Sequence, residues 1–198
     1  MKEIDRRAFF ARTFGTAAGL ALLAVPRGKA GLRAAQEARP GAVPEAEWEA
    51  LIKKYQAIHG TCSQTSFAAL NERFGLEADQ AIPALMPFAG GIAGKGETCG
   101  AVTGSVLAIG FFLDAMARRG KVPAAPAQRY ARAFLADFEK EFGSTRCREI
   151  VKRQFGRYFD LQDPDDQRAF MAESRKDPKC VEVMTKAVLI AGRAMAEA

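Results

Sequence analysis

Apolar side chains in this 198-residue chain recur at three- and four-residue spacings, the period of amphipathic helices. In segment 45–59, Trp48, Leu51, Ile52 and Tyr55 fall on one helical face. Runs of alternating β-branched residues, which are typical of strands, are absent from the sequence. The pattern therefore predicts an all-α fold.

Glycine, proline and capping residues divide this pattern into seven or eight helices. Thr61, Ser144 or Thr145, and Asp163 are the expected N-caps, because a short polar side chain accepts hydrogen bonds from a helix's first turn. The predicted helices are 44–59, 61–74, a short 78–88 interrupted by Pro83 and Pro87, 98–118, 126–142, 144–155, a short helix that begins at Asp163, and 177–196.

Segment 99–113 is uncharged, as a membrane helix would be, but at 15 residues it is shorter than the roughly 20 that a span needs. Thr103, Ser105 and its glycines lower the apolarity, so the segment is expected to be the central buried helix of a soluble bundle. Gly100 and Gly104 lie one turn apart and would allow another backbone to approach closely.

The first 35 residues have the features of an export signal. Arg6 and Arg7 precede two phenylalanines, an arrangement typical of twin-arginine signals, and the uncharged segment 14–25 is too short to span a membrane. An ordinary secretory signal or an uncleaved anchor is the alternative. The predicted organisation is a signal at 1–35, a linker at 36–43 and one helical domain at 44–198. The expected location is periplasmic, and the twin-arginine translocase, which carries folded proteins, is an expected partner.

The signal also explains the basic charge of the chain. Residues 1–35 hold seven of the 29 Lys and Arg residues but only two of the 23 Asp and Glu residues, so the remainder has a net charge of +1 rather than +6. A nearly neutral domain gives no support for nucleic-acid binding, which requires a basic face.

The four cysteines carry the candidate chemistry. Cys62, Cys99, Cys147 and Cys180 are separated by 37, 48 and 33 residues, which excludes a Cys-x-x-Cys pair, a zinc knuckle and a haem attachment motif. Each lies in or beside the first turn of a predicted helix, where backbone N–H groups and the helix dipole are expected to lower the pKa of a thiol. We expect the fold to bring the four thiols together.

A glycine-rich loop at 90–98 leads directly to Cys99. Such a loop can pass close to a ligand and direct N–H groups at sulfide or thiolate, so Gly96 and Gly100 are candidate cofactor-binding residues. Gly96 stands where a nucleotide P-loop would have Ser or Thr, and no strand precedes the loop.

Cys99-Gly100-Ala101-Val102-Thr103-Gly104 matches the CGAxxG motif of the redox-active proteins named for their C…GCAxxG…C…C pattern. The chain resembles this family from about Thr61 to Ala194, because the other three cysteines fall where the pattern expects them. The resemblance implies a small helical protein with a redox or metal-centre role, and the longer segment between Cys147 and Cys180 departs from it.

Several functions remain open for the quartet Cys62, Cys99, Cys147 and Cys180. The preferred hypothesis is a metal centre, a [2Fe–2S] or [4Fe–4S] cluster ahead of zinc, that transfers electrons to a periplasmic or membrane redox partner. Thiol–disulfide exchange and two structural disulfides are the alternatives, and four cysteines permit three pairings. His59, the only histidine, is a minor candidate ligand.

Overall fold

The computed structural model describes residues 43–198, and this part of the chain contains helices and no strand. The predicted all-α fold is confirmed. The predicted export signal and residues 36–42 of the predicted linker lie outside the described residues. The helices are α1 (Glu45–His59), α2 (Cys62–Phe74), two 3-10 helices (Asp79–Ala81 and Pro83–Phe88), α3 (Gly100–Arg118), α4 (Ala127–Phe142), α5 (Cys147–Phe155), α6 (Pro164–Lys176) and α7 (Lys179–Ala196).

The predicted helix at 78–88 is instead a pair of 3-10 turns. Pro83 begins the second turn and Pro87 lies inside it. Because proline lacks the N–H that an α-helix interior needs, the segment cannot continue as α-helix and adopts the tighter, shorter form.

The expected N-caps have different outcomes. Asp163 caps α6 as predicted, since its carboxylate accepts two backbone N–H groups of the first turn at 2.9 Å. Thr61 occupies the N-cap position of α2, but its hydroxyl donates to Gln64 Oε1 at 2.7 Å rather than capping the helix. The N-cap of α5 is Arg146 rather than the predicted Ser144 or Thr145. The Arg146 N–H donates a hydrogen bond to the Ser144 hydroxyl oxygen at 3.0 Å.

Helix α7 lies at the centre of the bundle and packs against α1, α2, α3 and α4. The core around it is aromatic and aliphatic, and its largest fully buried members include Trp48, Phe67, Phe134 and Phe138. At one part of this core, three rings pack edge to face with centroids 5.5–6.1 Å apart: Phe155 of α5, Phe159 in the following loop, and Phe170 of α6. Burial of these apolar side chains is the main stabilisation of the fold.

Helices α2 and α3 form the most extensive helix pair, and their backbones touch. A Cβ atom on Gly104 would lie 2.3 Å from the carbonyl oxygen of Ser63, and one on Gly100 would lie 2.3 Å from Cys62 Sγ. Only glycine permits this approach, as the one-turn spacing predicts. The contact places the start of α3 directly against Cys62.

Helix α3 is long and apolar enough to cross a membrane by length and composition alone, with a mean hydropathy of 1.6. Half of that window is buried inside the bundle, where α3 packs against α2, α4 and α7. Core helices of soluble proteins meet the same criterion.

Candidate functional site

All four cysteines lie at helix starts. Cys62 is the first residue of α2, Cys99 is the N-cap of α3, Cys147 is the first residue of α5, and Cys180 is the second residue of α7. All four are free thiols, with Cys99 and Cys147 buried and the other two partly buried. The side chains are therefore carried by four different helices whose first turns converge.

A short antiparallel contact holds the starts of α3 and α5 together. Thr98 and Arg146 form a β-bridge. On either side of it, the Cys99 N–H donates to Thr145 O at 2.8 Å and the Cys147 N–H donates to Glu97 O at 2.7 Å. This arrangement directs both cysteine side chains to the same side, and the thiols of Cys99 and Cys147 are hydrogen-bonded to each other.

Backbone N–H groups surround two of the sulfur atoms. The N–H groups of Gly90 and Ser63 donate to the Cys62 sulfur. Those of Ala101 and Val102, in the first turn of α3, donate to the Cys99 sulfur. These are the unpaired donors that every helix start and tight loop offers, here directed at sulfur.

The cysteines also interact electrostatically, since a negative charge on one sulfur disfavours a charge on the next. After burial, Cys99 is the next cause that raises the pKa of Cys62, and after burial Cys62 and Cys99 both raise the pKa of Cys180. Together with the Cys99–Cys147 hydrogen bond, these couplings connect all four residues within one region of the molecule. The structure thus brings together side chains that are up to 118 positions apart in the sequence.

The expectation that helix starts lower the pKa of these thiols is wrong for three of them. Burial, followed by the neighbouring Cys99, raises the pKa of Cys62 to about 11. The hydrogen bond with Cys147 and then burial raise the pKa of Cys99, and burial and then Cys62 raise that of Cys180. For these three thiols, removal from water and mutual repulsion outweigh the N–H donors, so the three stay protonated at neutral pH.

The glycine-rich loop lies against Cys147 at Gly91. Six of its residues have positive φ: Gly90, Gly91, Ile92, Ala93, Gly94 and Gly96. A Cβ on Gly91 would lie 2.6 Å from Cys147 Cβ, so the loop backbone is in contact with this cysteine. Sequence reasoning marked the loop as a whole but did not identify Gly90 and Gly91, because the φ of each glycine depends on the folded chain.

Of the two glycines predicted to bind a cofactor, Gly100 is in contact with Cys62. Gly96 is placed differently: a Cβ there would lie 2.9 Å from Arg148 Cβ and 3.0 Å from the Tyr158 hydroxyl. The Gly96 N–H donates to Gly90 O at 3.0 Å, so it stabilises the loop. Tyr158 is therefore a neighbour of the site, and no motif or spacing in the sequence singles it out.

The cations beside the cysteines are engaged elsewhere. Arg146 and Arg148 lie 3.7 and 3.4 Å from the Glu97 carboxylate, and Lys179 lies 3.1 Å from Asp177. His59 stacks on the ring of α1's Tyr55, with the centroids 5.8 Å apart. The quartet is therefore bordered by paired charges, and His59 is packed on its own helix.

Among residues 43–198, no group of three or more His, Cys, Asp or Glu side chains is placed so that it could hold a metal ion. The donor type nevertheless fits a thiophilic centre, because the four cysteines lie at helix starts in one region of the molecule, with amide donors beside Cys62 and Cys99.

One family model matches the chain, over residues 60–194, and its description is "Putative redox-active protein (C_GCAxxG_C_C)". The matched segment contains all four cysteines and extends from the residue before α2 almost to the end of α7. Searches of curated proteins and of solved structures each found no match.

Proposed function

Because the chain belongs to this family of redox-active proteins, we propose that Cys62, Cys99, Cys147 and Cys180 hold a metal centre, an iron–sulfur cluster in preference to zinc. The observation that carries the proposal is the convergence of four helix starts, each with a cysteine, at one partly buried region supplied with backbone N–H donors. A [2Fe–2S] or [4Fe–4S] cluster requires four such thiolates.

The redox description of the family favours an iron–sulfur cluster over a single zinc ion, because zinc has no redox chemistry of its own.

The roles of the chain's own residues follow from their positions. The four cysteines supply negative charge and sulfur donors, and the N–H groups of Gly90, Ser63, Ala101 and Val102 stabilise the sulfur charge at Cys62 and Cys99. Such hydrogen bonds and the exclusion of water set the reduction potential of a centre. When bound, an iron–sulfur centre would supply one-electron transfer.

Proton release is part of loading this site. Because burial and the neighbouring thiols raise the pKa of Cys62, Cys99 and Cys180, these groups are protonated in the metal-free protein at neutral pH. A cationic centre compensates the repulsion that keeps the protons on. Loading is therefore expected to weaken as the pH falls.

The same features weigh against thiol–disulfide exchange with a partner protein. An exchanging cysteine needs an accessible thiolate. Cys99 and Cys147 are only 6% and 9% exposed, and the pKa of Cys99 is raised by its hydrogen bond with Cys147 and by burial. The buried pair is poorly suited to attack by another protein.

We also propose that the centre passes electrons to a periplasmic or membrane redox partner rather than converting a small substrate. His59 is stacked on Tyr55, and the Glu97 carboxylate, whose residue accepts the Cys147 N–H through its backbone, lies beside two arginines. Neither is arranged as an acid–base group at the sulfurs. Export by the twin-arginine translocase is a proposal that rests on Arg6, Arg7 and the rest of residues 1–35.

Anaerobic reconstitution tests the metal centre. The protein is reduced, supplied with iron and sulfide, desalted, and analysed for iron, acid-labile sulfide and visible absorption. We expect a coloured protein with stoichiometric iron and sulfide. Replacement of any one cysteine by serine is expected to reduce the iron content roughly tenfold or more.

His59→Ala is the matched control, since His59 lies three residues before Cys62 but stacks on Tyr55. This variant is expected to load normally. A colourless wild-type protein, or one that retains zinc in preference to iron under these conditions, would contradict the proposed cluster.

A further inference from the structure

We propose that the metal-free protein forms one reversible disulfide, between Cys99 and Cys147, while Cys62 and Cys180 remain thiols. The inference rests on the four-thiol site of the proposed function, but it concerns that site before any metal is bound. It assigns a specific pairing to a set of cysteines for which three pairings are formally possible.

The side chains of Cys99 and Cys147 are in direct contact. The Cys99 thiol is hydrogen-bonded to Cys147, whereas Cys62 and Cys180 act on their neighbours through charge alone. Disulfide formation within a protein requires a second thiol that can reach the first sulfur without movement of the backbone. The contact gives this pair the highest effective concentration of the four.

The backbone also fixes the positions of these two cysteines relative to each other. Cys99 and Cys147 each follow one residue after the bridged pair Thr98 and Arg146. Their own N–H groups are fixed by hydrogen bonds of 2.8 and 2.7 Å to the opposite segment. Because alternate residues of an extended segment face opposite sides, the two thiols share the side away from Thr98 and Arg146. The bridge therefore holds the pair in register.

The Cys62 sulfur has different neighbours from those of the Cys99–Cys147 pair. Its sulfur accepts the N–H groups of Gly90 and Ser63, and it lies against the Gly100 backbone, where a Cβ would be only 2.3 Å away. A bond from Cys62 to Cys99 would have to break these contacts. Cys180 is carried by α7, without a backbone bridge between α7's first turn and the pair.

The oxidant can be any low-molecular-weight disulfide, and oxidised glutathione is the probe used here. One protein thiolate displaces a glutathione thiolate and forms a mixed disulfide; the second protein thiolate then displaces the other glutathione and closes the bond. Two protein thiols lose two protons and two electrons, and one oxidised glutathione becomes two reduced molecules.

The expected consequence is that oxidation withdraws two of the four ligands together. A protein with the Cys99–Cys147 bond would retain only Cys62 and Cys180 as donors, fewer than a cluster needs. Reduction would restore the full set. Loading of the centre would thus depend on the thiol–disulfide state of its surroundings.

The test uses the full chain after reduction and removal of metal with a chelator. The protein is equilibrated with a series of reduced and oxidised glutathione mixtures, quenched with acid, unfolded in denaturant with iodoacetamide so that every free thiol is alkylated, and mapped by mass spectrometry. Because the measurement is made at equilibrium, slow access to buried thiols does not affect the outcome. We expect the loss of two alkylated sites, Cys99 and Cys147, and the appearance of one linked peptide pair.

The double variant Cys62→Ser/Cys180→Ser is the matched control and is expected to form the same bond at the same glutathione ratio. Cys99→Ser is expected to leave every remaining cysteine reduced. A linked peptide that contains Cys62 or Cys180 would overturn the proposal, as would a wild-type protein that stays fully reduced in the most oxidising mixture. Both of these contradicting outcomes are measured on the wild-type protein, so they do not depend on whether a variant folds.

Metal loading separates this inference from the proposed function. If the bond forms but the reduced protein never takes up iron, the cluster proposal fails and the disulfide stands. If the reduced protein loads but the specific bond does not form, the disulfide proposal fails alone. If both hold, oxidised protein is expected to load at background level and to recover on reduction.

Discussion

At the scale of single residues, Glu72 shows how a half-exposed charge links two helices. Its carboxylate on α2 accepts hydrogen bonds from the Lys54 ammonium, at 2.5 Å, and from the Tyr55 hydroxyl, both on α1. The hydrogen bond from Lys54, followed by that from Tyr55, lowers the pKa of Glu72. The ionised form is therefore stabilised in the folded protein.

This lowered pKa predicts a pH-dependent contribution to stability. A carboxylate with a depressed pKa stabilises the fold above its unfolded value of about 4.3, and the contribution disappears as the pH falls through the folded value. The side chain is 42% exposed, so solvent screening limits the effect to about 0.5 kcal/mol. Glu72→Gln is expected to lower the urea midpoint at pH 7, and the difference from the wild type is expected to shrink as the pH falls below about 4.3 and through the lowered folded pKa.

Glu49→Gln provides the comparison, because it removes an ordinary i,i+4 pair with Lys53 on the surface of α1. Its effect at pH 7 is expected to be about 0.3 kcal/mol. An equal or larger loss in Glu49→Gln would mean that the Lys54–Tyr55–Glu72 cluster contributes nothing beyond a surface ion pair.

The cysteines show where residue-level prediction succeeds and where it fails. Their places at helix starts follow from the glycine, proline and capping pattern, and the structure agrees for all four. The direction of the pKa shifts was wrong, because burial and the approach of other thiols are properties of the folded molecule. Helix-start dipoles are local, and here they are the weaker influence.

At the scale of elements, the α2–α3 contact determines how Cys62 meets the first turn of α3. Gly104 is pressed against the Ser63 carbonyl, whereas Gly110, two turns later in the same helix, has no atom within 4 Å of its missing Cβ. Substitution of Gly104 therefore measures a steric need for glycine, whereas substitution of Gly110 measures only the low helix propensity of glycine.

We expect Gly104→Ala to destabilise the protein by about 1–3 kcal/mol, since the new methyl group must push the two backbones apart. Gly110→Ala is expected to stabilise it by up to about 1 kcal/mol, because alanine is the better helix former. Urea denaturation followed by circular dichroism measures both. A Gly104→Ala protein as stable as the wild type would show that α2 and α3 do not approach as described.

Element prediction from the sequence was good for the long helices and poor for segment 78–88. The long helices carry three or more turns of periodic apolar residues, which the core then buries. In the short segment, Pro83 and Pro87 prevent an α-helix, and the segment is too short for a periodic apolar pattern to be informative. The Thr98–Arg146 bridge had no sequence signal, because it joins loop residues 48 positions apart.

At the scale of the whole molecule, the thiol site adjoins the core, because Cys99 and Cys147 are themselves among its buried residues. Most of the other buried core residues are apolar side chains of α1 to α4 and α7. The all-α architecture was therefore predictable from periodicity. The convergence of the four thiols could not be predicted in this way, because it depends on how four different helices pack together.

Removal of the proposed centre is expected to lower the melting temperature without unfolding the helices. A ligand at about 100 times its Kd stabilises by about 2.7 kcal/mol, which corresponds to roughly 5–10 °C for a domain of this size. Thermal melts by circular dichroism, before and after a chelator, measure the change. Cys180→Ser, which is expected not to load, should show no chelator effect, and complete loss of helix in the stripped wild type would contradict a metal-independent core.

The β-bridge between Thr98 and Arg146 has a practical consequence for labelling. It fastens both ends of segment 98–146 at one point, so α3, α4 and their connection form a closed lobe. The far tip of the lobe, around Val122, is 89% exposed. A fluorophore or affinity tag inserted at that tip would be anchored to the protein while leaving the geometry of the sulfur atoms unchanged.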